Sequence, residues 1–193
     1  PSRPFPPSAG SLSLRRLLPA WHPQWGVLLA WPDAHTDCAD HLADAEQCYL
    51  DLLAALLDHQ QVRLVCRDSH CEQRIKTLVA ERRLDAARLQ LIIADYNDTW
   101  ARDFAFLSCG NPEAPYPVEF TFNGWGNKFD ASKDNLVNQR YLAPLCRENL
   151  RTSSIVAEGG ALEIDENGHL LSTAPCLYNP APKGDMSSDA SGK

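Results

Sequence analysis

Apolar positions in the first hundred residues follow two rhythms. Val27 to Trp31 is a short, wholly apolar run closed by Pro32, and it reads as a buried strand. Between Ala39 and Asp58, Leu42, Ala45, Tyr49, Leu52, Leu53, Leu56 and Leu57 recur at separations of three and four, while Asp40, Asp44, Asp51 and Asp58 fall largely on other faces. That spacing predicts an amphipathic helix. Val62 to Cys66 is a second buried-type strand. Ser69-His70-Cys71-Glu72 has the capping-box pattern and opens a predicted helix to about Leu84, with Ile75, Leu78 and Val79 on its inner stripe. Leu89 to Ala94 is a third apolar strand.

The second half has a different texture. Phe104 to Ser108 and Val118 to Phe122 are strand candidates separated by an Asn-Pro loop, and Gly124-Trp125-Gly126-Asn127 does not fit regular structure. Asp134 to Leu145 reads as a helix. Ile155-Val156, Ala161 to Ile164 and His169 to Thr173 are short strands, the last two joined by Asp165-Glu166-Asn167-Gly168, where Asn-Gly signals a hairpin. Residues 1–13 read as a loose Pro/Ser-rich leader, 14–180 as the N-terminal part of a single domain, and 181–193 as an irregular tail, either a linker or a truncation end. Helices mixed with short strands throughout place the chain in the α/β or α+β class.

Composition narrows the function classes. Of the 193 residues, 18 are Lys or Arg and 25 are Asp or Glu, for a formal net charge of −7. An acidic balance without a basic run argues against nucleic acid and anionic membrane surfaces, and it is compatible with a cationic substrate. No stretch approaches the roughly 18 apolar residues of a membrane-spanning helix. The seven cysteines, at 38, 48, 66, 71, 109, 146 and 176, form no C-x-x-C, and no His pair has metal spacing. The expectation is scattered buried thiols in a reducing cytoplasm, with neither a disulfide framework nor a metal site.

Candidate chemistry gathers in two places. Asn97-Asp98-Thr99-Trp100-Ala101-Arg102-Asp103 follows directly on the third strand, and with Asp95 it sets three carboxylates and one guanidinium around a tryptophan. Loops at strand ends are where α/β folds put their sites, although the same string also reads as a turn of solvated charges with a packed Trp100. Glu158-Gly159-Gly160 offers a carboxylate beside two residues that permit a sharp turn and a close approach; a plain turn is the alternative. Phe122-Asn123-Gly124-Trp125-Gly126 is either a ligand wall or aromatic packing on backbone. Trp21, Trp25 and Trp31 suggest a carbohydrate platform or, at a strand end, core. His169 sits in an alternating strand with no acid spaced to orient it, so it is not expected to be catalytic.

These blocks carry a resemblance. Pro19-Ala20-Trp21-His22-Pro23-Gln24-Trp25-Gly26 through Trp31-Pro32 resembles the opening of the agmatine deiminase family, which also holds the bacterial peptidylarginine deiminases. Asn97 to Asp103 is similar to that family's Asn-Asp-x-Trp-x-Arg-Asp signature, and Phe122 to Gly126 to its aromatic-glycine loop. Glu158-Gly159-Gly160-Ala161, Asp165 to Gly168, Leu170 to Thr173 and Cys176 to Pro180 match its next block in order.

The resemblance implies a pentein-type α/β propeller, a fan of ββαβ units, here an incomplete fan of about half. It implies hydrolysis of a guanidine through a cysteine adduct, with no metal and no cofactor. Asp103 and Glu158 would be the catalytic carboxylates that bind the guanidinium, with Asp98, Trp100 and Trp125 completing the substrate-binding set. The implied partner is a small cationic guanidine, agmatine or an arginine side chain, with a homo-oligomer compatible. The family's general acid/base lies in a Gly-His-x-Asp motif, whereas the Gly-His here is Gly168-His169-Leu170-Leu171. No cysteine here has the Gly-rich context of the family nucleophile, so the chain is expected to supply carboxylates without the catalytic His and Cys. A degenerate, non-catalytic guanidine-binding paralogue is the competing reading.

Overall fold

Three parallel strands and two helices organise the first half of the protein. The structure is a computed structural model that describes residues 16–146 and 149–177. The leader 1–13 and the tail 181–193 read from the sequence lie outside the described residues.

Strand β1 (Gly26–Ala30), helix α1 (Leu42–Leu57), β2 (Gln61–Cys66), α2 (Ser69–Glu81) and β3 (Leu89–Ile93) follow in sequence, and the sheet runs in the order β1-β2-β3. Val27 pairs with Val62, and Val62 with Leu89, all in parallel register. The pleat divides the central strand between two cores. Val62, Leu64 and Cys66 pack with Trp31 and with Leu50, Leu53, Ile75 and Val79 of the two helices, whereas Val65 faces a second cluster with Tyr96, Phe104 and Phe122. A parallel sheet covered on both faces explains why these strands read as unbroken apolar runs.

Helix α1 buries Glu46, Leu50, Leu53 and Leu57, so its inner stripe is rotated from the predicted one, and Leu52 is exposed. The helix is leucine-rich on several faces, so periodicity alone leaves its orientation open. Glu46 is buried because Arg74 of α2 forms a two-pronged pair with it, Nε to Oε1 at 2.6 Å and Nη2 to Oε2. Asp68, rather than Ser69, caps α2, its Oδ1 accepting from the Cys71 N–H at 2.8 Å. The helix stops short of Leu84 because Arg83 turns left-handed at φ 55°.

The second half contains one ββαβ unit. Strands β4 (Leu107–Asn111) and β5 (Ala114–Thr121) form an antiparallel hairpin, and β6 (Arg151–Val156) adds parallel to β5. Arg16 to Leu18 run along the other edge of β4, with Leu18 N–H donating to Ser108 O at 2.8 Å. Phe104 lies in the short helix α3 (Ala101–Phe104) and not in a strand; its apolar character serves core burial, at 2% exposure. After the turn α4 (Gly124–Asn127), the predicted helix is α5 (Asp134–Val137) followed by a π-type turn, Asn138–Leu142, and a 3-10 turn, Ala143–Cys146. The wide turn coincides with buried Asn138, whose amide donates to Phe104 O at 2.8 Å and accepts from Phe106 N–H at 3.0 Å. Strands β7 (Glu163–Ile164) and β8 (Leu170–Leu171) make the Asn-Gly hairpin, with Gly168 at φ +88°, and α6 (Ala174–Leu177) follows.

Candidate active site

The carboxyl ends of β1, β2 and β3 are tied together by Arg67. Its guanidinium bonds Asp33 through Nε at 2.5 Å and Nη2 at 3.2 Å, and reaches Asp95 at 3.3 Å and Tyr96 O at 2.9 Å through Nη1. It also lies over the Tyr96 ring, 4.6 Å from the centroid, while the Tyr96 hydroxyl donates to Trp31 O at 2.6 Å. This fork fixes where the chain leaves β3 and enters the loop before α3. Asp95, expected as a solvated loop charge, is half-exposed yet held between Arg67 and Lys133, the latter at 3.1 Å.

Beyond Tyr96 the loop is held by carboxylates and amides. Asp134, at 3% exposure, accepts the Asn97 N–H at 2.7 Å and the Asp98 N–H at 3.4 Å. Burial pushes its carboxyl up to about 6, with Asp98 and Asp130 nearby adding to the shift against those two backbone donors. Asn97 donates to Asp130 Oδ2 at 3.1 Å and accepts from Lys133 N–H at 2.8 Å. Asp98 takes the Thr99 N–H at 2.7 Å on Oδ1 and accepts from Trp100 Nε1 at 3.1 Å on Oδ2. Asp98 therefore orients the exposed Trp100 ring, which meets Trp125 edge to face at 6.0 Å. Trp125 adopts a left-handed backbone at φ 56° between Gly124 and Gly126, wedged by Phe122 and Phe129 at 5.0 and 5.6 Å.

Asp103 and the turn that follows Glu158 meet at a second junction. The Gly159–Ala161 turn packs onto α3, and Gly160 N–H donates to Asp103 Oδ1 at 2.9 Å. A Cβ on Gly159 would overlap the Arg102 carbonyl oxygen, and one on Gly160 would overlap Asp103 Oδ1. Here the two glycines serve close approach of backbone to backbone and backbone to carboxylate. Arg102 reaches over to Leu162 O and Glu163 Oε1, both at 3.4 Å. Glu158 Oε1 faces the Cys176 thiol at 3.5 Å, and Cys176 Sγ in turn accepts from Thr173 Oγ1 at 3.1 Å.

The site residues named from sequence thus fall into two linked groups. Asp98, Trp100 and Trp125 form one, Asp103 and the Glu158 turn the other, and the Asp103 N–H to Trp100 O bond of 2.9 Å joins them. A cleft of about 190 Å³ lies beside Trp125 and Asp98. A larger hollow of about 230 Å³ is lined by Arg67, Asp95 and Lys133, whose charges already pair with one another.

Other expectations fare differently. Trp31 is buried in the core and the Arg63 guanidinium covers the Trp25 ring at 4.5 Å, so the three N-terminal tryptophans share no platform. His169 does have an acid partner: Asp165 Oδ2 lies 2.7 Å from its Nδ1, and that bond holds the Asp165 carboxyl down at about 2. All seven cysteines are free thiols, but of them only Cys66 is fully buried. Sequence reasoning missed Arg67, Asp33, Asp130 and Asp134; an Arg one residue past an apolar strand was the available signal for the first.

Among the described residues, no helix is long and apolar enough to cross a membrane. Nor, among them, do three His, Cys, Asp or Glu residues converge in a metal-holding group.

Solved deiminase structures share this α/β frame. C. jejuni agmatine deiminase with substrate bound superimposes with a TM-score of 0.76 at 25% identity, covering 95% of this chain and 53% of that one. A Porphyromonas gingivalis protein assigned as an arginine deiminase gives a TM-score of 0.75 at 37% identity, over 92% of this chain and 52% of its own. Among curated proteins, agmatine deiminase of Stutzerimonas stutzeri is 27% identical over 168 residues, 82% of this chain and 43% of the relative. The model of the Porphyromonas-type peptidyl-arginine deiminase family matches residues 16–191, and the chain belongs to that family. It spans about half the length of the relatives it matches.

Proposed function

We propose that this chain is the guanidinium-holding half of an agmatine deiminase, built as part of a pentein-type fan. The single observation that carries the reading is the junction at which Gly160 N–H fixes Asp103 Oδ1 and so seats the Glu158 turn against α3. With Oδ1 anchored, Oδ2 of Asp103 is left as an acceptor, and so is Oε2 of Glu158, whose Oε1 faces the Cys176 thiol. A guanidinium offers a planar fork of donors and stays charged at every physiological pH, so two fixed carboxylates are the complementary receptor. The exposed Trp100 ring, one turn from Asp103, supplies a flat apolar face for the guanidinium plane.

In the complete reaction a cysteine thiolate adds to the guanidinium carbon. Ammonia leaves with a proton from a histidine. Water then displaces the thiolate from the amidino adduct, giving N-carbamoylputrescine from agmatine. Asp103 and Glu158 hold the carbon in line for both additions, and Glu158 assists proton transfer beside the histidine. The nucleophile and the histidine are assigned to the part of the relatives that this chain does not match. The reading includes a cytoplasmic setting, no nucleic-acid or membrane partner and no cofactor. Agmatine is preferred to an arginine side chain because the curated relative quoted is named an agmatine deiminase.

The test is a fusion of this chain to the complementary half of the S. stutzeri agmatine deiminase, assayed for ammonia release from agmatine. Turnover by the fusion, none by the 193-residue chain alone, and loss of turnover in both Asp103→Asn and Glu158→Gln fusions are expected. Turnover that survives both substitutions overturns the assignment.

A further inference from the structure

We infer that Cys66 and Cys71 form a peroxide-responsive dithiol, with Cys71 attacking and Cys66 resolving, and that their disulfide loosens the loop held by Arg67. The link to guanidine binding rests on the reading given above; the thiol chemistry does not.

The pairing follows from the strand and helix periods. Cys66 ends β2 on the same face as Val62 and Leu64, the face covered by the helices. Cys71 lies in the first turn of α2, four residues before buried Ile75 and seven before Leu78, so it shares the stripe that α2 turns to that face. Strand and helix thus aim both cysteines into one core cluster, where their side chains interact. Asp68 fixes the turn between them by accepting the Cys71 N–H at 2.8 Å.

The two thiols differ as attack and resolution require. Cys66 is fully buried, and the Cys71 side chain together with burial pushes its thiol up. Cys71 is half-buried. Its thiol is pulled down by the Cys66 thiol and then by the Arg67 backbone N–H, against burial and the charges of Asp33 and Asp68. Its place at the start of the 13-residue α2 also favours the thiolate. Burial pushes Cys109 and Cys146 the other way.

With hydrogen peroxide as oxidant the steps balance. The Cys71 thiolate attacks one peroxide oxygen; the S–O bond forms, the O–O bond breaks, and the departing hydroxide takes up the proton that Cys71 had released to solvent. Cys66 sulfur then attacks the sulfenic sulfur; the S–S bond forms, the S–O bond breaks, and hydroxide leaves with the Cys66 proton as water. Two thiols lose two electrons and two protons, and the peroxide becomes two waters. Bond closure draws two sulfurs from non-bonded contact to about 2 Å. It also replaces the thiolate that accepts the Arg67 N–H with a neutral disulfide. Arg67 directly follows Cys66, and its guanidinium holds Asp33, Asp95 and Tyr96 O where the loop to Asp103 begins.

The experiment treats the reduced, folded 193-residue chain with a small molar excess of hydrogen peroxide, blocks remaining thiols with N-ethylmaleimide and digests with trypsin. Cleavage after Arg63, Arg67 and Arg74 places the two cysteines on separate peptides, 64–67 and 68–74. These peptides should be recovered joined, and dithiothreitol should split them. Cys71→Ser should abolish the joined pair, and exposed Cys48→Ser should leave it unchanged. Cys66→Ala should leave Cys71 as a sulfenic acid that dimedone traps. If Cys66→Ala alters the near-ultraviolet dichroism, the joined pair in the parent and its loss in Cys71→Ser decide. No joined pair, formation no faster in the folded chain than in urea, or Cys71 linked mainly to another cysteine overturns the dithiol. Amide exchange at Asn97 to Asp103 should rise several-fold on oxidation and methylguanidine binding should weaken, both restored by dithiothreitol and both unchanged in peroxide-treated Cys71→Ser. Unaltered exchange in the disulfide form overturns the control of the loop. Altered exchange with methylguanidine bound by neither form would sink the clamp reading and leave the switch standing.

Discussion

Gly160 donates its backbone N–H to Oδ1 of Asp103 across 2.9 Å, although the two residues are 57 positions apart. Nothing larger than hydrogen fits at the Gly160 Cα on that side, because a Cβ would overlap the same oxygen. Gly160→Ala should therefore push the Glu158 turn off α3. The expected cost is about 1–3 kcal/mol, the range for forcing an extra carbon into a packed junction. Guanidine binding should be lost alongside it. Thermal melts together with methylguanidine titration check this; an unchanged melt and unchanged binding would show that the turn is not seated as described.

Asp134 gives the fold a pH signature. Its carboxyl is pushed up to about 6 by burial, above the ordinary 3.8, so the native chain holds a proton that the unfolded chain has released. The stability linked to that proton is complete below about pH 4 and is lost as pH rises through about 6. Asp134→Asn removes the titration while keeping an oxygen for the Asn97 and Asp98 N–H groups. Relative to the parent, the variant should thus gain about 2–3 kcal/mol on going from pH 4 to pH 7.5. Urea denaturation of both chains across that range measures the difference; parallel curves would contradict it.

Asp103→Asn and Asp95→Asn form a matched pair. The first replaces acceptor capacity with donors aimed at a guanidinium's own donors, and loss of one charge-assisted clamp should cost about 2–4 kcal/mol of binding. In a catalytically complete fusion that is roughly a 30- to 1,000-fold fall in kcat/KM. Asp95 pairs with Arg67 and Lys133 at 56% exposure of its own side chain, so its loss should cost under about 1 kcal/mol of stability and leave guanidine binding intact. Equal effects at the two positions would misplace the site.

The strands of the first sheet were legible because a parallel sheet buried on both faces must be apolar throughout, and Val62 to Cys66 and Leu89 to Ala94 satisfy that by composition alone. Phe104 misled for the same reason: an apolar residue bound for the core looks alike in a strand and in one helical turn. The wide turn at Asn138 was not legible, since it coincides with hydrogen bonds to Phe104 and Phe106 that are remote in sequence. His169 and Asp165 stand four apart, a spacing without meaning in a continuous strand, but the Asn-Gly turn brings them opposite each other. In the candidate site, the local strings Asn97 to Asp103 and Glu158 to Gly160 could be read directly. The residues that hold them could not, because Arg67, Asp33 and Asp134 act only through contacts that the fold creates.

Arg67 offers the sharpest test of that dependence. It is about as buried as the Asp33 carboxylate it bonds, each side chain being 15% exposed, and it closes three strand ends with a geometry that needs two donor directions at once. Lysine keeps the charge but offers a single point of donation, so it cannot bond Asp33, Asp95 and Tyr96 O together. Arg67→Lys should destabilise the chain by about 1–3 kcal/mol, and Arg67→Ala by about 3–5 kcal/mol, because the latter removes the cation from the part-buried Asp33 carboxylate and leaves it only the His35 N–H and the Tyr96 hydroxyl. The local consequence should reach further than the melt. Tyr96, covered by the guanidinium and bonded to Trp31 O, sets the exit of the loop that carries Asp98 and Trp100. Amide hydrogen exchange at Asn97 to Asp103 should accelerate in Arg67→Lys, while exchange in β5 and β6 stays as in the parent chain. Uniform acceleration across both sheets would mean that Arg67 supports global stability alone and does not hold the loop.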